Sequence, residues 1–361
     1  MTGNLTPQPP DADSSTRARL IRLLGPVLAI AAVGLAVAAL VIAVHADDKS
    51  AGTTGSTSAC PVTTIAEQEL PSVVTISVTG PSGSGTGSGE VIDTSGHILT
   101  NNHVISPAAS GGTIGVLFSD GRSQAAHLVG RDPQTDLAVL QVQQTQGLRP
   151  IQFGSSQAVR VGQSVVALGA PLGLSSTVTA GIVSALDRSV NVPADDGQTA
   201  LLVAAIQTDA AINPGNSGGA LVDCAGDLIG VPTAGATVPN PSGGSSVGNI
   251  GLGFAIPSDF AHSIAQELIA HGSVTHGFLG VSVDTAPEGT GLYVVAVTPG
   301  GPAASAGLQV GDVITKIDGE SASSAEQLLE LTLTHKPGDT VTVTYERQGE
   351  TQETRLTLGS R

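Results

Sequence analysis

The sequence predicts a mainly β protein of two domains that follow a transmembrane helix. Three observations carry this. Short β-branched segments punctuated by Gly, Asp, Ser or Pro recur from Val73 onward. Glycine is abundant, at 47 of 361 residues, while aromatics make up 2% and Trp is absent. The core must therefore come from Val, Ile, Leu and Ala. An uninterrupted run of apolar residues, Gly and one Pro fills residues 23–44.

As a helix that run would be about 33 Å long, against a hydrocarbon core of about 30 Å. Arg17, Arg19 and Arg22 precede it, and Asp47 and Asp48 follow it. The positive-inside rule then gives a single-pass cell-membrane protein with residues 1–22 as a disordered cytoplasmic tail and everything after Asp47 outside. The rival reading is a cleaved signal peptide ending at Val44-His45-Ala46. The run exceeds the usual apolar region of about 7–15 residues, which favours the anchor. Residues 45–63, rich in Ser, Thr and Gly, read as a linker.

Net charge is −16 with only 14 Lys and Arg, which excludes nucleic acid as a partner, because phosphate binding needs clustered cations. No metal or other cofactor is expected. Two cysteines are too few for a structural zinc site, and His45, His97, His127, His262, His271, His276 and His335 lack ligand spacing and read as surface or packing residues.

Strands are predicted at 73–78, 90–92, 97–99, 113–118, 137–141, 164–168, 177–183, 201–208, 220–222 and 228–231. Many short strands at this spacing suggest a β-barrel or sandwich. A helix is predicted at 258–271, with Ser258 as its N-cap and Phe260, Ile264, Leu268 and Ile269 on one face. After Thr275 a second unit alternates strands at 280–283, 292–297, 313–317, 340–346 and 351–358 with a helix at about 325–334.

The chemistry centres on Asn213-Pro214-Gly215-Asn216-Ser217-Gly218-Gly219. A serine nucleophile needs an adjacent base, a group that orients the base, and N–H donors for an oxyanion. Glycines permit the tight turn that exposes the hydroxyl. Two more segments complete the set. Leu99-Thr100-Asn101-Asn102-His103-Val104 puts a His at the end of a strand. Arg131-Asp132-Pro133-Gln134-Thr135-Asp136-Leu137-Ala138-Val139-Leu140 puts an Asp just before one. The order His, Asp, Ser is that of chymotrypsin-type double barrels.

These three blocks, with Gly251-Leu252-Gly253-Phe254-Ala255-Ile256-Pro257, resemble the signature blocks of the HtrA/Deg family of trypsin-fold serine proteases, from about residue 66 to the end. The resemblance implies a trypsin-like double β-barrel at 64–272, with His103 as general base, Asp136 as its orienter and Ser217 as nucleophile. It also implies an oxyanion hole around Gly215, Asn216 and Ser217, and an endopeptidase acting on misfolded or specific exported proteins. Six residues before the serine lies Ala211, the expected pocket floor. With no Asp there and Leu252 near the pocket wall, small or medium apolar P1 residues are expected rather than Lys or Arg. Thr233, Ala234 and Gly235 are expected to form the edge that pairs with substrate backbone. Asn216 stands where digestive relatives carry an Asp that pairs with a new N-terminus, so no zymogen cleavage of that kind is expected.

Residues 273–361 resemble a PDZ domain. Phe278, Leu279, Gly280 and Val281 would form its carboxylate-binding loop, and Leu328 would line a pocket for an apolar last residue of a C-terminal peptide. A homotrimer is the family's expectation, although 60–76 lacks the aromatics that commonly seal one. The stretch 79–90, rich in Gly and Ser, reads as a short loop. Cys60 and Cys224, both outside the cytoplasm, are expected to form a disulfide that pins the linker to the second barrel. Three Lys against 11 Arg, with abundant Ala and Gly, fits a GC-rich genome and an actinobacterial source. The alternative function is a non-catalytic PDZ scaffold or holdase.

Overall fold

A computed structural model describes residues 60–170, 176–194, 199–235, 251–286 and 291–360. The membrane helix expected at 23–44 lies outside the described residues. Among the described residues no helix is long and apolar enough to cross a membrane.

After a short helix α1 (Val62–Glu69), six strands close a first barrel: β1 (Val73–Gly80), β2 (Gly83–Val91), β3 (His97–Asn101), β4 (Thr113–Leu117), β5 (Ser123–Asp132) and β6 (Leu137–Val142), in the order β1-β2-β3-β6-β5-β4. A four-residue helix α2 (Asn102–Ile105) continues β3. Alternating residues such as Val74, Ile76, Val116 and Leu140 fill the interior, as a period of two requires. A second barrel has the order β10-β11-β12-β9-β8-β7. Its strands are β7 (Ser164–Gly169), β8 (Thr177–Pro193), β9 (Thr199–Thr208), β10 (Ala220–Val222), β11 (Leu228–Gly235) and β12 (Gly253–Pro257). Val165, Ala167, Ile206, Leu221 and Ile229 form its core.

Helix α3 (Ser258–His271) lays Ala261, Ile264, Ala265 and Leu268 on a seam shared by Leu99, Leu137 and Val139 of the first barrel and Val231 and Ile256 of the second. Gly272, at φ 74°, ends the helix, its N–H bonding to Leu268 O. Ser258 does not cap this helix, contrary to expectation. It is the first helical residue, and its hydroxyl donates to Gly154 O at 2.8 Å.

The third layer holds β13 (Gly277–Phe278), β14 (Val281–Thr285), β15 (Leu292–Val297), α4 (Pro302–Ser305), β16 (Val313–Ile317), β17 (Glu320–Ser321), α5 (Ala325–Thr334), β18 (Thr340–Arg347), β19 (Glu350–Thr357) and β20 (Gly359–Ser360). Its main sheet runs β14-β15-β16-β18-β19, which leaves β14 at an edge. Helix α5 starts on a capping box, Ser324 and Gln327 exchanging side-chain to backbone bonds.

Two further differences from the sequence reading are informative. The Gly/Ser stretch at 79–90 is not a loop. Most of it is strand β2, paired with β1 from Gly80↔Gly83 to Val73↔Glu90. Two of its glycines are crowded by neighbours: a Cβ at Gly87 would lie 2.6 Å from Val104 Cγ2, and one at Gly89 would lie 2.7 Å from Ile76 Cδ1. The second difference is β5, whose mixed polar pattern gave no strand signal and which is held by pairing to β4 and β6. Cys60 and Cys224 are joined as a disulfide with Cα atoms 5.1 Å apart, linking the start of α1 to the turn after β10.

Candidate active site

β3 pairs with β6 at Asn101↔Leu137, so the residues just beyond each strand end are neighbours. These are Asn102 and His103, in α2, and Asp136. The imidazole Nδ1 of His103 lies 2.8 Å from Asp136 Oδ2, and the His103 backbone N–H donates to Oδ1 at 2.9 Å. Asp136 is held in the left-handed region, at φ 58°, a strained conformation that Asp tolerates better than most residues. Its carbonyl is satisfied by Asn102 N–H at 3.0 Å and Asn101 Nδ2 at 2.9 Å. Asp136 is 1% exposed, whereas the His103 side chain is 36% exposed. A buried carboxylate thus faces an imidazole whose other side reaches solvent.

Ser217 sits in the turn between β9 and β10. Gly218, at φ 78°, makes that turn, and a Cβ there would strike Thr100 Oγ1 and Ser88 O. The Ser217 carbonyl accepts from Ser88 N–H at 2.9 Å, and Ser88 Oγ donates to Gly215 O at 2.6 Å. Strand β2 of the first barrel therefore cradles the serine turn of the second.

Thr233 joins the two halves. Its Oγ1 donates to Asp136 Oδ2 at 2.6 Å, and its carbonyl accepts from Ser217 Oγ at 3.3 Å. The irregular register of β11 with β12 between Pro232 and Ala234 falls on this residue. The sequence reading placed Thr233 only on a substrate-pairing edge, and no motif signal marked its side chain. Along that edge Ala234 and Gly235 pair with Phe254 and Gly253 of β12 on one side, while on the other side β10 reaches only to Gly230.

Among the described residues, the N–H groups of Gly215 and Ser217 donate to no protein acceptor. The N–H of Asn216 is different. It bonds to Asn213 O at 2.9 Å, so Asn216 offers no backbone donor to an oxyanion, and the three-residue set expected from the sequence contracts to two. The Asn216 side chain is buried, and its Nδ2 donates to Ala211 O at 3.2 Å. That carbonyl also accepts from Thr179 Oγ1 at 3.1 Å, so Ala211 is braced on both sides. Next to it, Ile212 is buried and packs over Gly253, beside half-buried Leu252. Ile212, a member of the second barrel's core, was not named from the sequence.

In the third layer, Phe278, Leu279, Gly280, Val281 and Leu328 line one groove of about 360 Å³, with edge strand β14 on one side and α5 on the other. Gly280 has φ 80°, and among the described residues the Leu279 and Gly280 N–H groups have no protein acceptor. Immediately before this loop, buried His276 places Nε2 2.8 Å from Asp132 Oδ2. Asp132 begins the turn that ends at Asp136, and Thr135 Oγ1 donates to it at 2.6 Å. His276 is thus a packing residue, as expected, but one that ties two domains together.

Comparison with known proteins agrees with this architecture. Residues 87–231 match the family described as trypsin-like peptidase domain, and residues 277–358 match the PDZ domain family. The chain is 45% identical over 302 residues to "Serine protease PepD" of Mycobacterium tuberculosis, the match covering 82% of this chain and 65% of that protein. It is 42% identical over 286 residues to "Periplasmic pH-dependent serine endoprotease DegQ" of Escherichia coli, covering 76% of this chain and 59% of that one. The chain thus spans less than two thirds of the length of these curated relatives. Among solved structures it is similar to the HtrA-type protease AlgW with a tripeptide, with a TM-score of 0.67 and 38% identity over 83% of this chain and 97% of that one. A serine endoprotease from Yersinia pestis gives a TM-score of 0.63 and 33% identity, covering 83% of this chain and 98% of that one. With its two barrels, its PDZ domain and relatives matched over nearly their full solved length, the chain belongs to the HtrA family of serine proteases.

Proposed function

We propose that the protein is a serine endopeptidase that cleaves misfolded or specific exported proteins through His103, Asp136 and Ser217. The observation that carries this is the double attachment of Thr233, which holds the Asp136 carboxylate and the Ser217 hydroxyl on one residue. Ser217 Oγ attacks the scissile carbonyl and its proton passes to His103. Asp136 keeps the imidazole oriented and stabilises the imidazolium. The Gly215 and Ser217 N–H groups receive the developing oxyanion. The leaving amine takes the proton from His103, and water then releases the acyl group by the same route. Ala211, Ile212 and Leu252 favour a small or medium apolar P1 side chain, with Thr233 to Gly235 pairing the substrate backbone.

The reading also assigns protease residues 64–272 and PDZ residues 273–361, the latter recognising C-terminal peptides or regulating the protease. Residues 23–44 anchor the chain in the cell membrane after a cytoplasmic tail at 1–22, and both domains are extracytoplasmic; the linker expected at 45–63 ends earlier, before Cys60, because Cys60 is bonded to Cys224 and α1 begins at Val62. Assembly as a homotrimer follows the family expectation, and control without N-terminal zymogen cleavage follows from Asn216 standing where digestive relatives carry an Asp. Casein cleavage by the wild type and by Ser217→Ala tests the core of this. Cleavage lost in the variant supports the endopeptidase. Equal cleavage in both would refute it, and no cleavage in either would favour a scaffold.

A further inference from the structure

The groove beside β14 and α5 is not lined by PDZ residues alone. Gln134, from the loop that carries Asp136, lines it together with His276, Gly277, Leu279 and Thr332. We infer that Gln134 is a specificity-determining residue for the peptide held in that groove, which makes the peptide site a joint product of the protease and PDZ domains.

The geometry supports this at three levels. The backbone of Gln134 is fixed on both sides: its N–H donates to Asp132 Oδ1 at 3.2 Å, and its carbonyl accepts from Leu201 N–H at 3.2 Å. The side chain, by contrast, is exposed, and its amide has no partner among the described residues. An amide offers two donors and one acceptor to whatever enters the groove.

The domains are also held in register around it. His276 and Asp132, both buried, bond at 2.8 Å directly below the loop. Helix α5, the far wall of the groove, docks on the β8–β9 hairpin. Leu333 packs with Leu201 and Val203, and Ser189 Oγ donates to Glu330 Oε2 at 2.9 Å. Gln134 therefore stays at the groove rather than swinging with a free domain.

The occupant that fits is an extended peptide with a free carboxylate and an apolar last side chain. The open N–H groups of Leu279 and Gly280 suit the carboxylate, the edge of β14 suits the peptide backbone, and Leu328 suits the side chain. Gln134 would add a hydrogen bond from the protease side of the groove. A glutamate there would set a negative charge close to the peptide's own.

This rests on the reading of the groove as a site for C-terminal peptides, and the test separates the two. Full-length Ser217→Ala protein is titrated with fluorescent peptides ending in Val, with a free or an amidated C-terminus. The same is done with Gln134→Ala and Gln134→Glu added, and with exposed Gln143→Ala as a control. The expected result is carboxylate-dependent binding that weakens about three- to tenfold in Gln134→Ala, further in Gln134→Glu, and not in Gln143→Ala. Carboxylate-dependent binding that is unchanged by both Gln134 variants would overturn the inference and leave the groove reading intact. Absence of carboxylate-dependent binding in the parent would overturn both.

Discussion

At the residue scale, Thr233 is the least advertised member of the site and the one whose chemistry is most exposed to test. Removing its hydroxyl would leave Asp136 Oδ2 with His103 alone, in a place where the carboxylate is almost fully buried. Hydrogen bonds to charged groups are worth about 1.5–3 kcal/mol. Thr233→Val, which keeps the shape, should lower kcat/KM by about ten- to a hundredfold without unfolding the protein; steady-state kinetics beside a circular dichroism spectrum would show it.

Glu90 is the second residue whose behaviour stands out. It is fully buried on β2, and neither carboxyl oxygen has a partner among the described residues. Burial pushes its pKa well above the ordinary carboxyl value. In the unfolded chain the group releases its proton near the ordinary value, while in the folded chain it retains it. Stability is therefore intact below that value and falls as pH rises towards the folded pKa, by about 1.4 kcal/mol per pH unit within that window. Glu90→Leu should melt higher than the wild type at pH 7.5, and the gap should shrink towards pH 4.5. Melting curves at the two pH values decide this.

At the element scale, two cross-links organise the molecule. The disulfide ties Cys60, before α1, to Cys224 across a sequence separation of 164 residues. Closing so long a loop restricts the unfolded chain, so Cys60→Ser with Cys224→Ser should cost about 2–5 kcal/mol in urea unfolding under oxidising conditions. The other link is His276 with Asp132. His276→Ala leaves the buried Asp132 carboxylate, among the described residues, with only the Thr135 hydroxyl and the Gln134 N–H. A loss of about 1–3 kcal/mol is expected.

These elements also show what the sequence makes legible. The helix at 258–271 could be read from periodicity, because a 3.6-residue apolar stripe is a strong local signal, although its cap could not; the helix expected at about 325–334 is also present. Strand β2 could not be read, because its glycines look like a loop until Val104, Ile76 and Ile98 are seen to crowd them. Strand β5 is polar on an open face, so its partners rather than its composition define it. The candidate Ser217, His103 and Asp136 could be picked out because each sits in a short motif with local logic. Thr233, Gln134 and the His276–Asp132 pair were not, since each acts across a long sequence separation that only the fold brings together.

At the scale of the whole molecule, two barrels meet on a seam, and the candidate site lies where β2, α2 and the Asp136 loop of one face the serine turn and β11 of the other. His276, just before β13, bonds to Asp132 at the start of the same loop. One short segment thereby carries Asp136 of the candidate site and Gln134 at the groove beside β14 and α5. The central claim is that Ser217 is a nucleophile activated by His103. Treating the protein with a fluorophosphonate and locating the adduct by mass spectrometry tests it most directly. The account predicts one dominant adduct, on Ser217, forming at least about 100-fold more slowly in His103→Ala. An adduct on another serine, or labelling of Ser217 at an unchanged rate without His103, would contradict it.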